Sequence, residues 1–264
     1  MSHIRSVFGT KEWAQRTANC LEGCWHDCVY CYAKSMAIRF DRKTAETWHV
    51  EVPRPDLIDK VLTGRPCRVM FPSTHDITPS NLRVCLPAIE AMLDHGHSLL
   101  IVSKPHVDCI QAICRSFACD RERILFRFTI GSSSDEVLAF WEPNAPCFME
   151  RLDSLCLAHE TGFGTSVSCE PMLDGNIDAV INEVLPFVTD AVWVGKANQL
   201  RARLRINGAD AEAIRLGEML IASQSDATIR ALYLRHKDNP KIKWKESIKK
   251  VIGLPIAVSP GMDI

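Results

Sequence analysis

Five short apolar runs stand out along the chain: Arg68–Ser73, Ser98–Ser103, Ile124–Ile130, Thr165–Cys169 and Ala191–Val194. Each is rich in β-branched or aromatic side chains and bounded by polar or turn-forming residues, the pattern of a strand buried on both faces. Arg16–Cys20 reads as a further strand. Helical periodicity fills the gaps. Asn81–His95 puts Leu82, Cys85, Ile89, Met92 and Leu93 on one face and ends at Gly96. Ala145–Thr161 does the same with Phe148, Leu152, Leu155 and Leu157 before Gly162, and Asp174–Phe187 carries Ile177, Val180, Ile181, Val184 and Leu185. Strands and helices alternate, which predicts βαβ units and a parallel sheet, either a barrel or an open doubly wound sheet. About six strands are countable.

A length of 264 residues suits one α/β barrel. Apolar content of 47% and a formal net charge of −1 exclude general disorder. No run of 18 apolar residues exists, so no membrane partner is expected. Met1–Thr10 has no apolar core of a secretory leader, so a cytoplasmic protein is expected. Charge is uneven. From Arg201 onward there are 12 Lys/Arg against 7 Asp/Glu, while the first 200 residues are mildly acidic. Residues 1–200 are therefore expected to form the barrel, and 201–264 a helical, mildly basic extension that caps or closes the sheet.

Twelve cysteines are many for such a chain, and without a leader they point to metal or redox chemistry rather than disulfides. Cys20, Cys24, Cys28 and Cys31 fall within twelve residues. Cys24, Cys28 and Cys31 form Cys-x3-Cys-x2-Cys, and three thiolates on one tight loop can hold three irons of a 4Fe–4S cube, leaving the fourth iron open to a small molecule. Two other readings stand beside it. The four cysteines could complete a zinc site, or a four-thiolate electron-transfer cluster with no open iron; in the first reading Cys20 is a small buried hydrophobe.

The Cys-x3-Cys-x2-Cys spacing, flanked by Tyr30 and Tyr32, resembles the radical S-adenosylmethionine (radical SAM) superfamily. The resemblance implies a TIM-like partial parallel (β/α)6 barrel, a 4Fe–4S cluster and S-adenosylmethionine (SAM) as cofactors. It also implies reductive cleavage of SAM to a 5′-deoxyadenosyl radical and a reducing partner such as a ferredoxin or flavodoxin. In a barrel the chemistry belongs at the C-terminal strand ends, where polar groups recur: Ser73–Asp76, Ser103-Lys104, Thr129–Ser132, Cys169–Pro171 and Gly195–Asn198.

Over most of the first 200 residues the chain resembles the spore photoproduct lyase-like, DNA repair photolyase-related branch. The residues that carry this are Gly23-Cys-x-His26-x-Cys-x-Tyr30-Cys-Tyr32-Ala33, Ser-Thr-x-Asp-x-x-Pro from Ser73, and Lys104. The resemblance implies SAM contacts from Tyr30, Ser73, Lys104 and Thr129, with Asp76 and Ser132 as additions, and a nucleic-acid or nucleoside substrate. Ser168–Pro171 resembles a related group of phage-associated radical SAM proteins, and Glu170 joins the cofactor-binding set. One position departs from the branch. Photoproduct lyases place a hydrogen-donating cysteine just before the strand-two serine, and here Pro72 stands there. Cys169 is the candidate substitute donor; the alternative is an inert buried thiol.

Cys109, Cys114 and Cys119 are spaced by five, which does not stack them on one helix face, so no auxiliary cluster is expected. Glu142, Glu150 and Arg151 are helix caps or substrate contacts. His97 and His159 lie near helix ends, where solvated rings are expected. Arg235–Lys250 is basic around Trp244; it suits either a nucleic-acid strand, with Trp244 stacking on a base, or a helix burying Trp244, Ile248 and Val251 under lysine stems.

Overall fold

The computed structural model describes Val7 and residues 9–262; most of the Met1–Thr10 segment lies outside these residues. The apolar runs are strands, and the alternating order holds. In chain order the elements are β1 (Arg16–Thr17), β2 (Leu21–Glu22), α1 (Tyr32–Arg39), β3 (Val52–Pro53), α2 (Asp56–Leu62), β4 (Arg68–Phe71), α3 (Leu82–Asp94) and β5 (Ser98–Ser103). They continue with α4 (Val107–Ser116), β6 (Ile124–Thr129), α5 (Asp135–Trp141), α6 (Phe148–Glu160), β7 (Gly164–Cys169), α7 (Ile177–Val184) and β8 (Val192–Val194). The last part holds α8 (Leu200–Ile206), α9 (Ala211–Ser223), α10 (Asp226–His236), β9 (Ile242–Trp244) and α11 (Glu246–Ile252).

Seven strands form one sheet in the order β1-β4-β5-β6-β7-β8-β9, every neighbouring pair parallel, and β2 and β3 make a small antiparallel pair beside it. Side chains alternate across each strand. Val69, Phe71, Leu99, Ile101, Phe126, Phe128, Val167, Val192 and Val194 join the large core that also holds the buried faces of the helices. Met70, Leu100 and Trp193 point the other way and cluster with Trp13. Met70 and Trp193 lie on strands four apart along the sheet, so the sheet must curl for both to enter one cluster. The result is a partial parallel barrel, open between β1 and β9. Its floor is closed by Arg127, which donates to Ser166 Oγ at 2.9 Å, pairs with Asp190 at 2.9 Å and lies over the Trp13 and Trp193 rings.

The seventh strand, β9, comes from a stretch expected to be helical. Ile242 and Trp244 alternate with Lys241, Lys243 and Lys245 at a period of two, but over three residues only, while Trp244 and Ile248 also fit a helical spacing. Pairing with the exposed edge of β8 decides the outcome. Trp244 is buried against Tyr233, so it is not available for stacking on a base. His97 is a second correction: its ring is fully buried, accepting from the Cys67 N–H at 3.2 Å and bonding to the Val61 carbonyl at 3.2 Å. His159, by contrast, is half-buried against Phe187. No helix among the described residues is long and apolar enough to cross a membrane.

Candidate active site

The three motif cysteines occupy the loop between β2 and α1. Gly23 brings the chain in at φ +99°, and any side chain there would meet the Val50 and Trp48 carbonyl oxygens at 2.4 and 2.8 Å. Cys24 N–H donates to Trp48 O at 3.0 Å. Cys31 caps α1, its sulfur accepting from Lys34 N–H. Asn207, at the end of α8, donates to the carbonyls of Val29 and Cys31 at 2.9 and 3.0 Å and accepts from Ser35 Oγ at 2.7 Å. The loop is thus held from both sides before any ligand arrives.

Cys24, Cys28 and Cys31 line a cavity of about 920 Å³ at the C-terminal ends of the strands. Tyr30, Ser73, Asp76, Lys104, Thr129 and Glu170 share its wall, so nine of the eleven sequence-selected site residues converge there. Thr129 and Ser168 are registered partners on β6 and β7, and both face inward.

Two selected residues do not line the cavity. Cys169 alternates with Ser168 and Glu170, so its thiol faces the helix layer, where it is fully buried in the core. It is in no position to donate a hydrogen atom in this cavity. Cys169→Ala is expected to cost about 1 kcal/mol of stability, the centre of the range for single substitutions, as read by chemical denaturation. The same variant should leave binding of ligands in the cavity unchanged. Ser132 is also fully buried; its hydroxyl donates to Asp174 and accepts from Ser134 N–H at 2.9 Å, tying the loop after β6 to the loop after β7. Cys109 and Cys114 are buried on α4, whereas Cys119 is exposed.

Asp76 organises the cavity wall. It accepts from His26 Nδ1 at 2.8 Å, Ser103 Oγ at 3.0 Å, Lys104 N–H at 2.9 Å and Lys104 Nζ at 3.3 Å. Burial alone would raise its pKa, but Lys104 and His26 outweigh burial and hold the carboxyl well below its usual range. Burial likewise opposes the charge of Lys104, and Asp76 reverses that, lifting the ammonium well above its ordinary value. Ser73 is oriented by Asn19, which accepts from its N–H at 2.8 Å and donates to its hydroxyl at 3.0 Å. Tyr30 donates to Glu142, which is paired with the fully buried Arg151 at 2.6 Å; Glu142 and Arg151 therefore support the wall and do not line it. The sequence names His26 within the cysteine motif and Lys196 within the strand-end group Gly195–Asn198 without a role for either, and gives no role to Asn19 or Arg203. Their only signal there was proximity to a motif or a strand end.

Among the described residues, the only three donor groups lying within 4.8 Å of one another are Cys24, His26 and Asp76. At least one pair of the three motif thiols is therefore farther apart than the roughly 3.8 Å edge of a zinc tetrahedron built on 2.3 Å bonds. The Cys24–His26–Asp76 group is internally hydrogen-bonded, with Asp76 further committed to Ser103 and Lys104. Cys20 stays out of the loop's ligand set. It is buried in the core, its sulfur 3.7 Å from Cys85 Sγ and 3.9 Å from the His75 ring. The Cys85 hydrogen bond, opposed by burial and aided by His75, brings its thiol down to about 6. Burial raises the thiols of Cys24, Cys28 and Cys31, so ligation there requires a metal to displace their protons. Three spread thiols beside an open cavity fit a polynuclear cluster with one free corner.

No protein-family model and no curated protein matches the sequence. Solved structures do. A spore photoproduct lyase complexed with a dinucleoside spore photoproduct superposes with a TM-score of 0.58 at 14% identity, over 92% of this chain and 79% of that one. The chain has the spore photoproduct lyase fold. A lyase variant with bound AdoMet and dinucleoside spore photoproduct gives 0.55 at 15% identity over the same shares. SuiB of Streptococcus suis bound to S-adenosylmethionine gives 0.53 at 9% identity, over 94% of this chain and 54% of SuiB. At these identities the likeness speaks for the fold alone.

Proposed function

We propose that this chain is a radical SAM enzyme in which Cys24, Cys28 and Cys31 hold a 4Fe–4S cluster. The observation that carries the reading is the placement of three spread thiols on the wall of a cavity large enough for a cofactor and a substrate together. When bound, the cluster supplies one electron for cleavage of SAM to a 5′-deoxyadenosyl radical, which takes a hydrogen atom from the substrate. The electron comes from a reducing partner of the ferredoxin or flavodoxin type. Lys104 receives the SAM carboxylate, and Asp76 keeps that lysine charged and aimed. Ser73 and Thr129 offer hydroxyls to the rest of the cofactor, and Tyr30 closes the wall beside the third cysteine.

The substrate in this reading is a nucleoside or nucleic-acid component. Pro72 lines the cavity where photoproduct lyases carry their donor cysteine, and among the described residues the cysteines on the wall are Cys24, Cys28 and Cys31. That lining separates the chain from photoproduct repair itself. Anaerobic reconstitution with iron and sulfide, followed by reduction with SAM present, is the test. Brown protein that forms 5′-deoxyadenosine is expected. Brown protein that forms none would mark an electron-transfer cluster, and colourless zinc-containing protein would overturn the reading.

A further inference from the structure

We propose that Arg203 and Lys196 form an anion subsite on the β7–β8 side of the cavity that docks a phosphate group of the substrate. The inference rests on the SAM-cleaving reading above and assigns a substrate class to the same cavity.

Arg203 lies on α8, four residues before Asn207, so both project from one face of that helix segment. Asn207 is bonded to the cluster loop, which fixes that face toward the cavity. Arg203 accordingly lines the cavity, with its guanidinium 5.9 Å from the centre of the Tyr32 ring. No carboxylate among the described residues pairs with it. Burial lowers its pKa, with Glu170 and Cys31 pulling the other way. The guanidinium is half-buried, and with no carboxylate in contact its N–H donors are free to meet an arriving anion.

Lys196 lines the same cavity, and its ammonium has only a long contact of 3.9 Å to the exposed Asp226. The carboxylate on this side, Glu170, is occupied. Its Oε2 lies 3.4 Å from the buried Lys245 Nζ, which also holds Glu12 at 2.9 Å. Asn198 adds a side-chain amide to the wall. An arginine fork and a lysine together suit the several oxygens and the high charge of a phosphate ester. The SAM carboxylate already has Lys104 beyond β5, three strands away in the sheet. At about 920 Å³ the cavity lies near the upper end of ligand sites, roughly 300–1,000 Å³, leaving space beyond one cofactor.

The experiment is calorimetric titration of inorganic phosphate into the reconstituted protein saturated with SAM, with chloride at matched ionic strength as control. Saturable binding of one phosphate per chain is expected. Arg203→Met and Lys196→Met should each weaken it by about tenfold, the scale of one charge-assisted hydrogen bond, with unchanged melting temperatures. Absence of saturable binding, an Arg203→Met variant that binds phosphate normally, or phosphate that competes with SAM would each overturn the proposal. Formation of 5′-deoxyadenosine, measured separately, reports on the SAM-cleaving reading, so the two can fail independently.

Discussion

Replacing Cys24, Cys28 or Cys31 by alanine is expected to bleach the reconstituted protein, reducing its iron from about four per chain to near zero. In the proposed cluster each thiolate would hold one iron, and assembly couples tightly to ligand count, so loss of one ligand would remove the cluster rather than one corner of it. Cys20→Ala should keep the colour. Its sulfur sits in the core against Cys85 and His75, not on the cavity wall. Iron and sulfide analysis of the four variants, with absorption near the charge-transfer bands, decides the matter. If Cys20→Ala bleaches as fully as Cys28→Ala, the site has four thiolate ligands and no iron is open to SAM.

Lys104→Met is expected to weaken SAM binding by about 1.5–3 kcal/mol, roughly 10- to 150-fold, while iron content holds. Pro105 follows Lys104 and ends β5 at the barrel mouth, and the side chain is only 12% exposed. There the ammonium lies 3.3 Å from Asp76, which keeps it charged, and a SAM carboxylate would be its second partner. The methionine has similar length and no charge, so packing is conserved and the electrostatic contact is what is lost. Equilibrium dialysis of SAM against variants with full clusters is the measurement. Unchanged affinity would remove Lys104 from the SAM site and weaken the assignments of Ser73 and Thr129 made on the same basis.

Much of the candidate site was legible because its signals are local. Cys24, Cys28 and Cys31 sit seven residues apart at most, so their spacing alone places them on one loop. Lys104 follows an apolar run and precedes a proline, which marks a strand end without reference to any other segment. The strands β4 to β8 were legible for the same reason: burial on both faces by flanking helices leaves continuous apolar runs.

What failed to show in the sequence depends on which face of an element turns inward. Ser168, Cys169 and Glu170 are three consecutive polar or reactive residues, and nothing local says that the middle one faces the helices; the register of β7 between β6 and β8 decides it. Ser132 looks like a strand-end hydroxyl until Asp174, from another loop, accepts its hydrogen bond. Three alternating residues around Lys243 become a strand only because the edge of β8 is there to pair with them. Arg203 lies 172 residues beyond Cys31 in the chain, and only the clamp of Asn207 on the Val29 and Cys31 carbonyls carries α8 to the cavity. Spacing and hydrophobic period, which act within one segment, thus determined the cluster loop and the sheet. Contacts between distant segments, whose energies depend on the completed barrel, decided which side chains meet inside it.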